Sequence, residues 1–469
     1  MLERALLFVR DIEIFEAIQR KYLTHWGIQA EFAATAEAAL AKLLSMKIPT
    51  LFLDCRTEFC DAETVQLMQR VMVELPALNL VCVGDGTYPL PIAEQLDLMS
   101  LETIRLNDRG EPQVSEESLS RVLSASRARP VPTFRRIEAE EIVFHTYTAE
   151  LFPVLDDLMR VAHRDVTLLL VGETGTGKTT LARFIHNASH RRDNPFQHLA
   201  CGALPGDLIE SELFGHTRGA FTGAERHKIG RFQAAGKGTL LLDEIDVLDL
   251  KQQSKLLKVI ESGEYELVGS TESRQAEARL IVASNVNLED LTEDGRFRTD
   301  LYYRLNVLEF RLPALRDRPL DITPLALGII GECCQAHHIE VNRVQVDFLN
   351  ALKRYRWPGN LRELKNHLRR AVLFSENGIL TVNDLAPKIL QAQFAAPEEE
   401  GADRVRRSWT LADRVALNER DLLVQALKEN GHNRTRTAKA LGLSRVGLYK
   451  KLRRLGLMAD SKEVSTAER

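Results

Sequence analysis

The chain has 469 residues, enough for about three domains at roughly 150 residues each. Apolar residues make up 44% and charged residues 27%, a balance that excludes a disordered chain. Lys plus Arg is 62 against 66 for Asp plus Glu, so the net charge of −4 excludes a globally basic nucleic-acid coat but not a locally basic module.

No apolar run reaches the ~18 residues that a membrane span needs. Met1–Glu16 carries acids within its apolar stretch and reads as a strand and helix rather than a signal peptide. Cys55, Cys60, Cys82, Cys201, Cys333 and Cys334 form no Cys-x-x-Cys pair, which argues against a disulfide framework and a structural zinc. The expectation is a reduced, cytoplasmic, multidomain protein.

In chain order, Ala5–Val9, Thr50–Leu53 and Leu78–Val83 read as strands, and Ile14, Ile18 and Leu23 recur at helical spacing between the first two. This alternation predicts a parallel sheet with helices on both faces over 1–126. Arg127–Glu141, with two prolines and dense charge, reads as a solvated linker, and so does Gln391–Thr410, with Pro397, three successive glutamates and Gly401. The domains are therefore expected at 1–126, 142–390 and 411–469. The middle one starts as α/β and turns helical after Leu320, and the last is all helix.

Val166–Val171 is a buried-strand run followed by Gly172, Glu173, Thr174, Gly175, Thr176, Gly177, Lys178, Thr179 and Thr180. The pattern G-x-x-x-x-G-K-[ST] between a strand and a helix defines a P-loop, in which backbone N–H groups curl around phosphates at a helix N-terminus. Lys178 is placed to reach the β and γ phosphates of ATP, and the Thr179 hydroxyl to bind Mg²⁺. Further on, Gly238–Glu244 is an apolar strand ending in two acids. Asp243 is placed to hold Mg²⁺ and Glu244 to polarise the attacking water.

Glu210–His216 and the hexapeptide Gly219, Ala220, Phe221, Thr222, Gly223, Ala224 carry a specific resemblance. The chain resembles the NtrC-type bacterial enhancer-binding proteins, the AAA+ activators of sigma-54 RNA polymerase. The resemblance is close over 142–390, clear over 411–458 and weak over 1–126. It implies that the hexapeptide caps a mobile loop contacting sigma-54, with Phe221 and Thr222 at its tip. An exposed Phe between glycines independently suits an interaction tip.

The resemblance also implies that Arg298 and Arg304, in Gly295–Asn306, complete a neighbouring subunit's ATP site, and hence that the active form is a hexameric or heptameric ring. Asn285 matches the sensor of the γ-phosphate, and Arg362 in Trp357–Leu364 the lid arginine that reads bound nucleotide. One departure stands out. The family has an Asn that restrains the catalytic Glu where this chain has Ala200, and Ala cannot hydrogen-bond Glu244. His198 lies two residues back, on the same strand face.

From His432 to Met458 there are eight Lys or Arg residues and no Asp or Glu, the footprint of a nucleic-acid module. Thr435–Leu441 reads as a short helix, Gly442 as the turn, and Ser444 as the cap of a recognition helix. The segment resembles Fis-type helix-turn-helix domains. Arg445, Tyr449 and Lys450 are expected near the groove of double-stranded DNA, and Arg434, Lys451, Arg453 and Arg454 on phosphates.

Residues 1–126 resemble a receiver domain that has lost much of its chemistry. Asp54 occupies the phosphoacceptor position and Asp61 a turn position, but the acidic pair is Arg10-Asp11 and the hydroxyl position is Gly84. Arg10 is expected to pair with Asp54 and displace Mg²⁺, leaving a pseudo-receiver that acts by protein contact, dimerisation or another ligand. Together these features predict an ATP-driven transcription activator that binds an upstream DNA site and remodels the sigma-54 polymerase holoenzyme, with no membrane partner. The alternatives are a DNA-binding regulator with an uncoupled ATPase, which Ala200 favours, and a general AAA+ remodeller.

Overall fold

The computed structural model describes residues 4–9, 11–24, 27–56, 61–75, 78–107, 112–113, 133–221 and 223–392. The DNA-binding residues Arg434, Ser444, Arg445, Tyr449, Lys450 and Arg453, together with Arg10 and Thr222, lie outside them. Residues 1–393 cluster as one compact unit.

The N-terminal part alternates β1 (Arg4–Phe8), α1 (Ile12–Ile18), β2 (Gln29–Phe32), α2 (Ala36–Met46), β3 (Thr50–Asp54), α3 (Ala62–Glu74), β4 (Asn79–Gly84), β5 (Thr87–Pro89), α4 (Ala93–Met99), β6 (Ser100–Leu106) and β7 (Pro112–Gln113). The strands form one sheet in the order β2-β1-β3-β4-β6-β7, parallel except at β7, which is the doubly wound order expected of a receiver. Apolar side chains cover both faces, as parallel strands require. Asp61 serves locally: its carboxylate accepts the Thr64 N–H at 3.0 Å and caps α3.

Strand β5 leaves this sheet. The motor and its lid contain β8 (Arg135–Ala139), β9 (Ile142–Thr146), α5 (Leu151–Ala162), β10 (Leu168–Val171), α6 (Lys178–Asn187), β11 (Phe196–Ala200), α7 (Gly206–Phe214), β12 (Gly215–His216), β13 (Lys228–Ile229), α8 (Arg231–Ala235), β14 (Thr239–Asp243), α9 (Leu250–Ser262), β15 (Glu264–Glu266), β16 (Ser273–Gln275), β17 (Arg279–Ser284), α10 (Leu288–Glu293), α11 (Thr299–Leu305), β18 (Glu309–Arg311), α12 (Pro319–His337), β19 (Arg343–Gln345), α13 (Val346–Arg354), α14 (Asn360–Phe374), β20 (Ile379–Leu380) and α15 (Pro387–Ala392). β5 pairs antiparallel with β19 of the lid, Tyr88 opposite Val344. Tyr88, Ile92 and Leu96 pack in one apolar core with Ile322, Ala326 and Phe348 of the lid.

Polar contacts reinforce this junction. Arg343 is buried and donates to Thr87 Oγ1 at 2.6 Å, to Thr87 O at 3.0 Å and to Cys55 O at 2.6 Å. Asp97 of α4 accepts from Thr323 Oγ1 and Lys353 Nζ, each at 2.7 Å. The receiver-like domain is thus part of the same packed body as the lid, rather than separate from it.

The stretch read as a linker also differs from expectation. Its last residues form β8, hairpinned to β9, because Ile137 and Ala139 alternate with charged residues and bury one face. The second linker starts inside α15, and its remainder lies outside the described residues.

The motor sheet is parallel throughout, in the order β11-β14-β17-β10-β18. Leu240, Leu242 and Val282 face one apolar layer; Leu241, Ile281 and Leu170 face the other with Leu158 and Phe184. The P-loop therefore emerges at the carboxyl end of a strand buried on both sides, where open α/β sheets bind their ligands. Among the described residues, no helix is long and apolar enough to cross a membrane.

Candidate nucleotide site

The loop from β10 to α6 is shaped by glycine. Gly175 and Gly177 have φ of +82° and +109°, in the left-handed region that favours glycine. A Cβ at Gly175 would also lie 2.5 Å from the Gly359 carbonyl oxygen, so the lid closes directly on the loop. Lys178 sits at the first turn of α6, buried, and donates to Gly172 O at 2.6 Å, Glu173 O at 3.1 Å and Asn285 Oδ1 at 2.7 Å. Burial pulls its pKa down, partly opposed by Asp243, Asp246 and Glu244.

Asp243 ends β14. Its Oδ2 accepts from Thr179 Oγ1 at 3.1 Å and its Oδ1 from the Glu244 N–H at 3.0 Å. Burial pushes this carboxyl up, but the nearby His198 imidazole, the charge of Lys178 and the hydrogen bond from Thr179 outweigh it and hold the pKa below the ordinary value. Glu244 has a left-handed φ of +59°, a conformation costing a non-glycine residue about 1 kcal/mol or more. Its carboxylate rests against Gly202, where a side chain would collide with it.

Asn285 follows β17, and its Oδ1 accepts from Lys178 Nζ. Its placement depends on Asp246, whose Oδ1 accepts from the Asn285 N–H at 3.2 Å and from Ser284 Oγ at 3.1 Å. Arg362 is brought to the P-loop too: its Cβ is 3.2 Å from the Cβ position of Gly175. Leu361 N–H donates to Gly175 O at 2.9 Å.

Glu173 lies in the phosphate loop, but its side chain makes its contacts elsewhere. Its carboxylate forms a bidentate pair with Arg316 at 2.7 and 2.9 Å and accepts from Asn360 Nδ2 at 3.1 Å, so its side chain faces the lid. Thr176 is likewise structural, buried with its hydroxyl on Glu173 O at 2.8 Å. Arg298 and Arg304 are not brought to this P-loop. Arg298 donates to Asp300 and Ser254, Arg304 to Glu261, and both side chains are exposed.

The Gly219–Ala224 loop follows α7 and leaves β12, which pairs with β13. Gly219 and Gly223, φ +82° and +99°, turn the chain, and Gly219 N–H donates to Ala224 O at 2.8 Å. Phe221 is 41% exposed, with its ring edge-on to His216 at 4.9 Å. The loop lies on the β15–β16 hairpin, where Gly269 leaves room for Ala220 and no Cβ would fit.

Asp54 is buried at the end of β3. Among the described residues a cation beside it is Arg56: Nη2 donates to Oδ2 at 2.8 Å and Nε to Oδ1 at 3.1 Å, while the expected partner Arg10 lies outside those residues. Arg56 stands two residues beyond Asp54, its backbone N–H also donating to Asp54 Oδ1 at 3.1 Å, and its Nη1 lies 3.7 Å from Asp11 Oδ2. Sequence reasoning also missed Asp246, Asn360 and Arg316. Asp246, two residues beyond the Asp-Glu pair, was the most accessible of these.

A P-loop lysine joined to the Asn at a strand end, a Thr–Asp pair, an adjacent Glu and a helical lid define a AAA+ P-loop ATPase. Comparison with known proteins agrees. The sigma-54 interaction domain family matches residues 144–311, the AAA+ ATPase lid domain 316–402, and the Fis family of bacterial regulatory proteins 415–455. The chain is 38% identical over 312 residues to the regulatory protein AtoC of Escherichia coli (strain K12), covering 66% of this chain and 67% of that one. It is 41% identical over 313 residues to the formate hydrogenlyase transcriptional activator FhlA of the same strain, covering 66% and 43%. It is 40% identical over 311 residues to the Nif-specific regulatory protein of Azotobacter vinelandii, covering 65% and 56%. The match thus spans about half the length of these last two relatives. NtrX from Brucella abortus shares the fold, with a TM-score of 0.52 at 24% identity over 97% of this chain and 100% of that one. The chain belongs to the sigma-54-dependent AAA+ activator family.

Proposed function

We propose that the protein is a DNA-binding transcription activator that uses ATP hydrolysis to remodel sigma-54 RNA polymerase from the closed to the open complex. The observation that carries this reading is one chain segment: Gly202, against which the Glu244 carboxylate rests, leads through α7 into the loop bearing exposed Phe221. A shift of Glu244 during hydrolysis has a short covalent route to the sigma-54-contacting tip. Gln252 Nε2, donating to Gly206 O at 2.8 Å, ties that route to α9.

In this reading Lys178 and the P-loop amides hold the ATP phosphates, and Asn285, fixed by Asp246, faces the γ-phosphate end. Glu244 orients and deprotonates the attacking water. The hard oxygen donors of Thr179 and Asp243, 3.1 Å apart, suit Mg²⁺ and would hold it. When bound, Mg²⁺ neutralises charge on the phosphates. Arg298 and Arg304, exposed and away from their own P-loop, would serve a neighbour's ATP in a hexameric or heptameric ring. The Fis-type segment, with Arg434, Ser444, Arg445, Tyr449, Lys450 and Arg453, would bind the upstream DNA site.

The receiver-like domain would act by its contact with the lid, since the Arg56 guanidinium already neutralises Asp54. The test is open-complex formation by sigma-54 holoenzyme with ATP. Glu244→Gln should keep ATP binding and lose both hydrolysis and activation. Thr222→Ala should keep hydrolysis and lose activation. Full activation by Thr222→Ala would refute the loop's role.

A further inference from the structure

Strands β11 and β14 run parallel with Ala200 opposite Asp243 and His198 opposite Leu241. His198 and Ala200, two residues apart, share a strand face. Beside Asp243, Ala200 offers only a methyl group. His198 reaches past it: Nε2 lies 3.5 Å from Asp243 Oδ2. That nitrogen has no solvent-accessible surface and no hydrogen-bond partner in the described structure. Glu244 is not its target, because that carboxylate turns away to Gly202. Asp243 Oδ2 is thus approached from two sides, by the Thr179 hydroxyl of α6 and by the imidazole of β11.

We infer that His198 is a positioning residue for Asp243, holding Oδ2 from the sheet side and fixing the carboxylate that receives the divalent cation. A buried ring nitrogen left without a partner is unfavourable, and a rotation closing 3.5 Å to hydrogen-bond length satisfies it. Thr179 is then free to leave Oδ2 without releasing the carboxylate. Groups that orient a metal-binding carboxylate typically change metal affinity by about tenfold or more. The inference rests on the reading of Asp243 as a Mg²⁺ ligand.

The test uses the full chain and a fluorescent, non-hydrolysable ATP analogue, with binding titrated against Mg²⁺. His198→Phe keeps an aromatic ring and removes the donor; His198→Gln keeps an N–H. The Phe variant should raise the half-saturating Mg²⁺ concentration about tenfold, leaving Mg²⁺-free nucleotide affinity and the melting temperature unchanged. The Gln variant should stay close to wild type. An unchanged Mg²⁺ requirement in the Phe variant, with Asp243→Asn shifting it, overturns the inference alone. Equal shifts in the Phe and Gln variants also overturn it, because packing rather than donation would then matter. No shift in Asp243→Asn removes the Mg²⁺ reading and this inference with it.

Discussion

Arg343→Ala should unlatch the receiver-like domain from the lid at the β5–β19 junction. The guanidinium is buried and makes three hydrogen bonds, two of them to the carbonyls of Cys55 and Thr87. Removing it takes a charged donor from both carbonyls and from Thr87 Oγ1, at about 1–3 kcal/mol for each bond lost. A net loss of about 3 kcal/mol at the junction corresponds to about a 100-fold rise in local opening. The amides of Leu90 and Val346 report it, because they donate across the junction to Asn342 O at 2.8 Å and Gly86 O at 3.0 Å. Hydrogen exchange at these two amides should accelerate about 100-fold. Exchange at Leu169, which donates to Leu308 O inside the motor sheet, should be unchanged. An acceleration below about threefold at Leu90 and Val346 would refute the latch, since it corresponds to well under 1 kcal/mol.

Two further perturbations address the nucleotide site. Asn360→Ala removes the acceptor for the buried Leu315 N–H (2.7 Å) and the donor to Thr174 O (3.1 Å), and leaves Ala at a φ of +49°. It should cost about 2–4 kcal/mol and weaken ATP binding, and Asn360→Gly, which relieves only the strain, should bind ATP as poorly. ATP affinity restored by Gly would show that strain alone mattered. Cys201 is buried beside Asp243, Asp246 and Glu244; burial and then those charges push its thiol up to about 12. Because the thiolate forms only as pH approaches that value, alkylation by iodoacetamide at pH 8.5 should spare Cys201 in the native protein and modify it in urea. Equal labelling in both states would contradict the burial.

The P-loop was legible because its chemistry is local: a strand, glycines with forced positive φ and a Lys-Thr at a helix start follow one another from Leu168 to Thr179. Asn285 and Arg362 were reached through motifs and fall beside Lys178 and Gly175. Asp246 and Arg316 were not legible, since a carboxylate on a turn and an arginine in a charged loop look solvated until Ser284 and Glu173 are brought against them. The receiver–lid junction was least accessible. β5 is three residues long and ends in Pro89, too short to carry a two-residue period, and Arg343 reads like any other arginine. Arg56 was overlooked for a related reason: an arginine just past a strand reads as solvated until its backbone and guanidinium are seen on Asp54.

The lid is the element on which these contacts converge. Asn360, Leu361, Arg316 and Arg318 bind it to the P-loop through Thr174 O, Gly175 O, Glu173 and Thr176 O. Arg343, Lys353 and Thr323 bind it to the receiver-like domain through Cys55 O and Asp97. A lid that shifts with nucleotide must either carry that domain or break the β5–β19 pairing. Carrying it preserves buried hydrogen bonds and a shared apolar core; breaking the pairing exposes both. Coupled movement is therefore the less costly course, and it needs no chemistry at Asp54, whose charge Arg56 already meets.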